Sequence, residues 1–163
     1  QMLAQGALPL RPGVVRLAQE AAASGARIAI VTTTSPENAE AFLEGAGLSG
    51  WFSLTLAGDV VERKKPDPGI YLLAQERLGL APEEGVVVED SRNGLLSALG
   101  AGFPVLITPS LYTLDQDYRE ATALLPHLGE PENPAPVLQG PRFGERVVVD
   151  LSYLEEVRGW WST

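Results

Sequence analysis

Apolar and polar positions alternate in two patterns over the first two-thirds of the chain. The stretch Val14 to Ser24 is rich in Ala and Leu. It has Arg11-Pro12-Gly13 ahead of it and Gly25 behind it as a stop, which predicts a helix. Arg27 to Thr32 is a short apolar run with β-branched residues, the length and flanks of a buried strand. A second helix is expected from Pro36 to Glu44, closed by Gly45 and Gly47, and a weaker strand from Phe52 to Leu56. Asp67 as N-cap and Pro68 as first helical residue open a helix that runs to Leu78. Gly85 to Glu89 is the clearest strand, Ser91 to Ala101 reads as helix, and Pro104 to Thr108 as strand again.

Strands and helices in this alternation predict an α/β fold, a Rossmann-like parallel sheet with helices on both faces. Such sheets bind ligands outside the carboxyl ends of their strands. The polar residues cluster at those ends, from Thr32, Gly58, Glu89 and Thr108 onward. After Leu111 the pattern weakens. Pro126, Pro131, Pro134, Pro136 and Pro141 punctuate residues 126–146, which read as a Pro-rich surface connection. Val147 to Asp150 is expected to be a last strand and Leu151 to Val157 a closing helix.

Composition narrows the function classes. The 163 residues include no cysteine, which excludes disulfides and thiolate sites. Twelve Lys and Arg against 21 Asp and Glu leave a net charge of −9. That balance disfavours nucleic acid, which is bound by neutralising phosphates, and anionic membranes, which need a basic face. No apolar run approaches the ~20 residues of a membrane span. Residue 1 is Gln and Met2 is the single methionine, so the start reads as a cut.

Three groups carry candidate chemistry. Thr32-Thr33-Thr34-Ser35, with Glu37 and Asn38, places four hydroxyls where a strand hands over to a helix N-terminus. That setting favours an anion. Helix capping by Ser35, or by Thr34 with Glu37, accounts for one or two of the hydroxyls. Lys64 and Lys65 precede Pro66-Asp67-Pro68, a stiff loop on which a lysine could neutralise a phosphate, or form a solvated turn. Glu89 and Asp90 close an apolar strand, where two acids cost stability unless something pairs with them. Mg²⁺ would do so, and capping by Asp90 or Ser91 would explain only one of the two.

In this order on one sheet, the three groups resemble the haloacid-dehalogenase-like (HAD) phosphohydrolase superfamily. Ile28 to Thr32 matches its second motif, Lys65 in Lys-Pro-Asp-Pro its third, and Val86 to Ser91 its fourth. Gly94 and Ala98 to Phe103 are similar too. The stretches Thr32-Thr33-Thr34, Gly58 to Val61, Lys64-Lys65-Pro66, Ile70 to Ala74, Thr108-Pro109-Ser110 and Leu128 to Pro131 resemble the CbbY-like branch, sugar-bisphosphate phosphatases of bacteria and plastids.

The resemblance implies a Mg²⁺-dependent phosphatase of a small phosphorylated sugar, such as xylulose-1,5-bisphosphate, acting through an aspartyl-phosphate. It implies that Thr32 and Lys65 hold the transferring phosphoryl group, that Asp90 with Glu89 holds Mg²⁺, that Thr33 is among the phosphate-binding residues, and that Thr34, Ser35 and Asn38 meet a second phosphate. A monomer in the cytoplasm or plastid stroma is expected, with no nucleic-acid or membrane partner. The family's nucleophilic Asp-x-Asp is not found. Asp115-Gln116-Asp117 has the spacing but follows Leu114 in a polar segment. Residues 1–163 are therefore expected to form a single incomplete HAD core domain, truncated before its first strand and cap domain and inactive alone. The strands ending at Thr32 and Glu89 would then flank a vacant centre or pair directly. The alternatives are a non-catalytic HAD-fold binding or regulatory module, and a phosphoglucomutase or other sugar-phosphate phosphatase of the same fold.

Overall fold

A computed structural model describes residues 11–161, so the start at Gln1 and Met2 lies outside the described residues. Helices α1 (Val14–Ser24), α2 (Pro36–Gly45), α3 (Gly69–Leu78), α4 (Arg92–Gly100) and α5 (Leu151–Trp161) alternate with short strands. These are β1 (Ala29–Val31), β2 (Leu54–Leu56), β3 (Val87–Glu89), β4 (Val105–Ile107) and β5 (Ala123–Leu124), followed by β6 (Ala135–Pro136) and β7 (Arg146–Val147).

Local chemistry sets the boundaries. Gly25, in the left-handed region, closes α1 as expected. Ser35 caps α2, its Oγ accepting from the Asn38 N–H at 3.2 Å, so the cap is Ser35 and not a Thr34–Glu37 box. Ser91 caps α4 by accepting from the Gly94 N–H at 3.1 Å. The α3 start moves one residue on from the expected position. Pro68 is its N-cap, while Asp67 Oδ1 accepts from the Gly69 N–H at 2.8 Å.

The sheet comes in two parallel pieces. β1 pairs with β2, Ala29 opposite Leu54, and β3, β4 and β5 pair in that order. Among the described residues no ladder joins β1 to β3, so of the two expected arrangements the direct pairing of these strands does not occur. Alternation along β4 shows both faces covered. Val105 and Ile107 pack with Ile70, Tyr71, Leu95 and Ala98 of α3 and α4. Leu106 points the other way, into a cluster with Val14 and Leu17 of α1 and Tyr153 and Val157 of α5. Each such buried Leu or Ile stabilises the fold by about 1.5–3 kcal/mol. Val88 in β3 breaks the rule that parallel strands are buried on both sides: it is 40% exposed.

The reading of residues 126–146 as a surface connection is corrected by the structure. Leu128, Ala135 and Val137 are buried in the α1/α5 core, and β6 pairs antiparallel with β7. The reason is polar as much as apolar. Arg16 donates to the carbonyls of Gly129 (3.0 Å) and Val149 (2.6 Å) and pairs with Glu130. Arg11 donates to the carbonyls of Thr108 (2.6 Å) and Pro126. Prolines supply no N–H donors, and here two guanidinium groups at the start of α1 serve the carbonyls of Pro126, Gly129 and Val149 instead. The expected strand at 147–150 reduces to β7, and α5 extends past Val157 to Trp161.

His127, the single histidine, is partly buried here, and its Nδ1 accepts from the Gly129 N–H at 3.0 Å. Burial, then the charges of Arg11 and Arg146, hold its pKa below the ordinary value. The folded state therefore binds fewer protons than the unfolded one. This contribution to stability is full above pH ~6.5 and is lost as pH falls through the folded pKa. Denaturant unfolding at pH 7.5 and pH 5.5 is expected to show an acid loss that shrinks in His127→Asn.

Candidate active site

The carboxyl end of β1 and the carboxyl end of β3 are joined by one side chain. Lys65 Nζ donates to the Val31 carbonyl at 3.1 Å and to Glu89 Oε2. Both side chains of this ion pair are 9% exposed. The ring of Tyr71, in the first turn of α3, lies 5.1 Å from the ammonium, and the Tyr71 hydroxyl donates to the same Oε2. Burial first, then the Glu89 charge, raise the tyrosine pKa well above its usual value, so the hydroxyl remains a donor.

Glu89 is held from its other side by the first turn of α4. A Cβ on Gly94 would overlap Glu89 Oε1 and approach its Cγ to 2.9 Å. Glycine at 94 therefore lets the helix backbone close on the carboxylate. Gly94→Ala is expected to displace Glu89 at a cost of about 1–3 kcal/mol, read as a lower unfolding midpoint.

Asp90 is oriented through its backbone. Its carbonyl accepts from Thr113 Oγ1 at 2.5 Å and from the Tyr118 hydroxyl at 3.3 Å. Its carboxylate accepts no hydrogen bond from a described residue, and its charge acts on Arg11, Tyr71 and Tyr118. Among the described residues no group of three or more acidic, His or Cys side chains could hold a metal. One unbonded carboxylate at a strand end still suits Mg²⁺, which takes one or two carboxylates and completes its shell with water and phosphate oxygens.

Thr32 continues β1, its N–H donating to the Leu56 carbonyl at 2.9 Å and its Oγ1 accepting from the Thr34 N–H at 3.1 Å. It is buried at the same strand end as Lys65 Nζ. The other hydroxyl candidates diverge. Ser35 Oγ is engaged in capping, Asn38 is exposed, and Thr33 and Thr34 are partly buried. Lys64 turns to Asp59 Oδ1 (2.6 Å) and the Gly58 carbonyl (3.2 Å), the solvated role. Asp115-Gln116-Asp117 lies in a surface turn. Gln116 accepts from the Arg92 N–H at 2.7 Å and Asp117 pairs with Arg119.

Sequence reasoning assigns no role to Tyr71, Thr113 or Tyr118. Tyr71 has a local signal, since it sits six residues beyond Lys65 in the helix that the lysine loop opens. Thr113 and Tyr118 have none. They reach Asp90 only because β4 returns the chain to β3, with the Thr108 N–H donating to the Glu89 carbonyl at 2.9 Å.

Comparison with known proteins finds relatives of this chain by sequence and by fold. The family model for haloacid dehalogenase-like hydrolases matches residues 1–102. The plasmid CbbY protein of Cupriavidus necator is 42% identical over 80% of this chain and 53% of its own length. The crystal structure of CbbY from Rhodobacter sphaeroides in complex with phosphate superimposes with a TM-score of 0.73 at 41% identity, over 77% of this chain and 57% of that one. A variant of the same Rhodobacter sphaeroides protein, crystallised with xylulose-1,5-bisphosphate, gives a TM-score of 0.72 at 40% identity, over 77% and 58%. The chain thus spans about half the length of the curated relatives it matches.

Proposed function

The chain belongs to the haloacid dehalogenase-like hydrolase family, and from that premise we propose that the complete natural protein is a Mg²⁺-dependent phosphatase of a small phosphorylated sugar, with xylulose-1,5-bisphosphate its favoured substrate. The observation that carries this reading is the Lys65 ammonium. It has three N–H donors, and two of them meet Val31 and Glu89. The third is suited to a phosphoryl oxygen at the carboxyl edge of the sheet. The choice of sugar follows from what the similar Rhodobacter sphaeroides protein binds.

In this reading Lys65 and Thr32 orient the phosphoryl group and stabilise the charge on its oxygens, which is the main source of rate in phosphoryl transfer. Glu89 holds Lys65, and Asp90 is the carboxylate of this chain that would hold Mg²⁺. The bound ion would neutralise charge on the phosphoryl oxygens. Attack on phosphorus needs a nucleophile, which the resemblance to the family assigns to an aspartate, a role given to no described residue of this chain. The aspartate's carboxylate oxygen forms the new bond to phosphorus, the sugar oxygen leaves with a proton from a neighbouring acid, and water then cleaves the aspartyl-phosphate.

Phosphate release by the complete natural protein from xylulose-1,5-bisphosphate, phosphoglycolate and β-glucose 1-phosphate tests the reading. We expect the highest kcat/KM on the bisphosphate, loss of activity with EDTA and recovery with Mg²⁺. Release from none of them contradicts the assignment. Conversion of β-glucose 1-phosphate to glucose 6-phosphate replaces it with a mutase.

A further inference from the structure

Tyr71 does more than fill space between α3 and the sheet. It is 4% exposed, edge-on to Phe103 at 6.0 Å between ring centroids. A buried tyrosine hydroxyl needs an acceptor, and many would serve. The acceptor here is the one carboxylate oxygen that also binds the Lys65 ammonium, and the face of the same ring lies beneath that ammonium. Tyr71 thus touches both members of the ion pair, while Gly94 backs the opposite carboxylate oxygen.

We propose that Tyr71 is a positioning residue for phosphoryl transfer: by sharing Glu89 Oε2 with Lys65 and walling the ammonium with its ring, it keeps Lys65 Nζ at the end of β1. The inference rests on the phosphatase reading above. Without the hydroxyl, Oε2 has one donor instead of two. The carboxylate then follows the ammonium, which is drawn away from the Val31 carbonyl and from the place a phosphoryl oxygen would take. Tyr71→Phe keeps the ring, its packing on Phe103 and the wall under the ammonium, so it removes only the shared hydrogen bond.

The test is a double-variant cycle in the complete natural protein, with phosphate release from xylulose-1,5-bisphosphate measured below each variant's unfolding midpoint. Tyr71→Phe is expected to lower kcat/KM by about 10- to 100-fold, mainly through kcat, as for a small misplacement of a catalytic group. In a Lys65→Ala background the same change is expected to cost less than about twofold, because groups acting as one unit are not additive. Tyr71→Phe activity equal to wild type overturns the inference. So does an equal loss in both backgrounds, which is the mark of a merely structural residue. If Lys65→Ala itself retains full activity, the phosphatase role of Lys65 fails and Tyr71 loses its role with it, a pattern distinct from either of the others.

Discussion

Lys65→Ala in the complete natural protein is expected to lower kcat/KM by about 100- to 1,000-fold, the loss that follows removal of one preorganised donor to developing charge. The variant also leaves Glu89 with a buried, unpaired carboxylate, because the two side chains are each only 9% exposed. Breaking such a pair costs about 3–5 kcal/mol when one partner is removed. Instability could then masquerade as lost chemistry. The Lys65→Met/Glu89→Gln double variant separates the two, since the introduced amide oxygen still accepts from Tyr71 without carrying a charge. The double variant is expected to regain most of the stability and none of the activity. Recovery of both in the double variant contradicts a phosphoryl-binding role for the ammonium.

Asp90→Asn is expected to act the other way, with a large loss of activity at little cost in stability. Its carboxylate accepts no hydrogen bond from a described residue, and its backbone carbonyl, held by Thr113 and Tyr118, is untouched. Stability should change by about 0.5 kcal/mol or less. A metal that stabilises transition-state charge contributes several kcal/mol, so kcat/KM should fall by about 1,000-fold at a Mg²⁺ concentration that saturates the wild type. Mg²⁺ raises the unfolding midpoint of a protein whose folded state alone binds it. That rise should be present in the wild type and vanish in the Asp90→Asn variant. A variant that keeps both the rise and the activity removes Asp90 from the metal site.

The fold is legible wherever a local signal coincides with a tertiary one. Gly25, Ser35 and Ser91 mark helix ends by chemistry that needs no distant partner, and each behaves as its residue type dictates. The apolar runs at 28–32 and 86–89 form the expected parallel strands, but their burial is partial, with Val88 40% exposed. Residues 126–146 mislead because proline content signals an absence of ladder hydrogen bonds, not an absence of burial. Leu128 and Val137 are buried in the α1/α5 core, and two arginines more than a hundred positions earlier hold the carbonyls of Pro126 and Gly129, a tie that no window reveals.

The site divides in the same way. Glu89 and Asp90 are visible because two acids closing an apolar strand are costly without a partner, and Thr32 and Lys65 because their order with that pair resembles the family's motifs. The structure brings Lys65 to both β1 and Glu89. The division of labour between the acids is not legible. Adjacent residues on a strand point to opposite faces. Glu89 turns to Lys65 and Tyr71, with Gly94 against its other oxygen. The hydroxyl run promises more than it delivers: Ser35 serves its helix, and Asn38 stands in solvent.

The central claim is that Lys65 and Thr32 hold a phosphoryl group beside a cation bound by Asp90. A crystal structure of the complete natural protein with Mg²⁺ and orthovanadate, a mimic of the transferring phosphoryl group, tests it most directly. The account predicts vanadate oxygens within hydrogen-bond distance of Lys65 Nζ and Thr32 Oγ1, with Mg²⁺ bound to the Asp90 carboxylate. Vanadate bound elsewhere, with Lys65 still closed on Val31 and Glu89 and facing no anion, would contradict it.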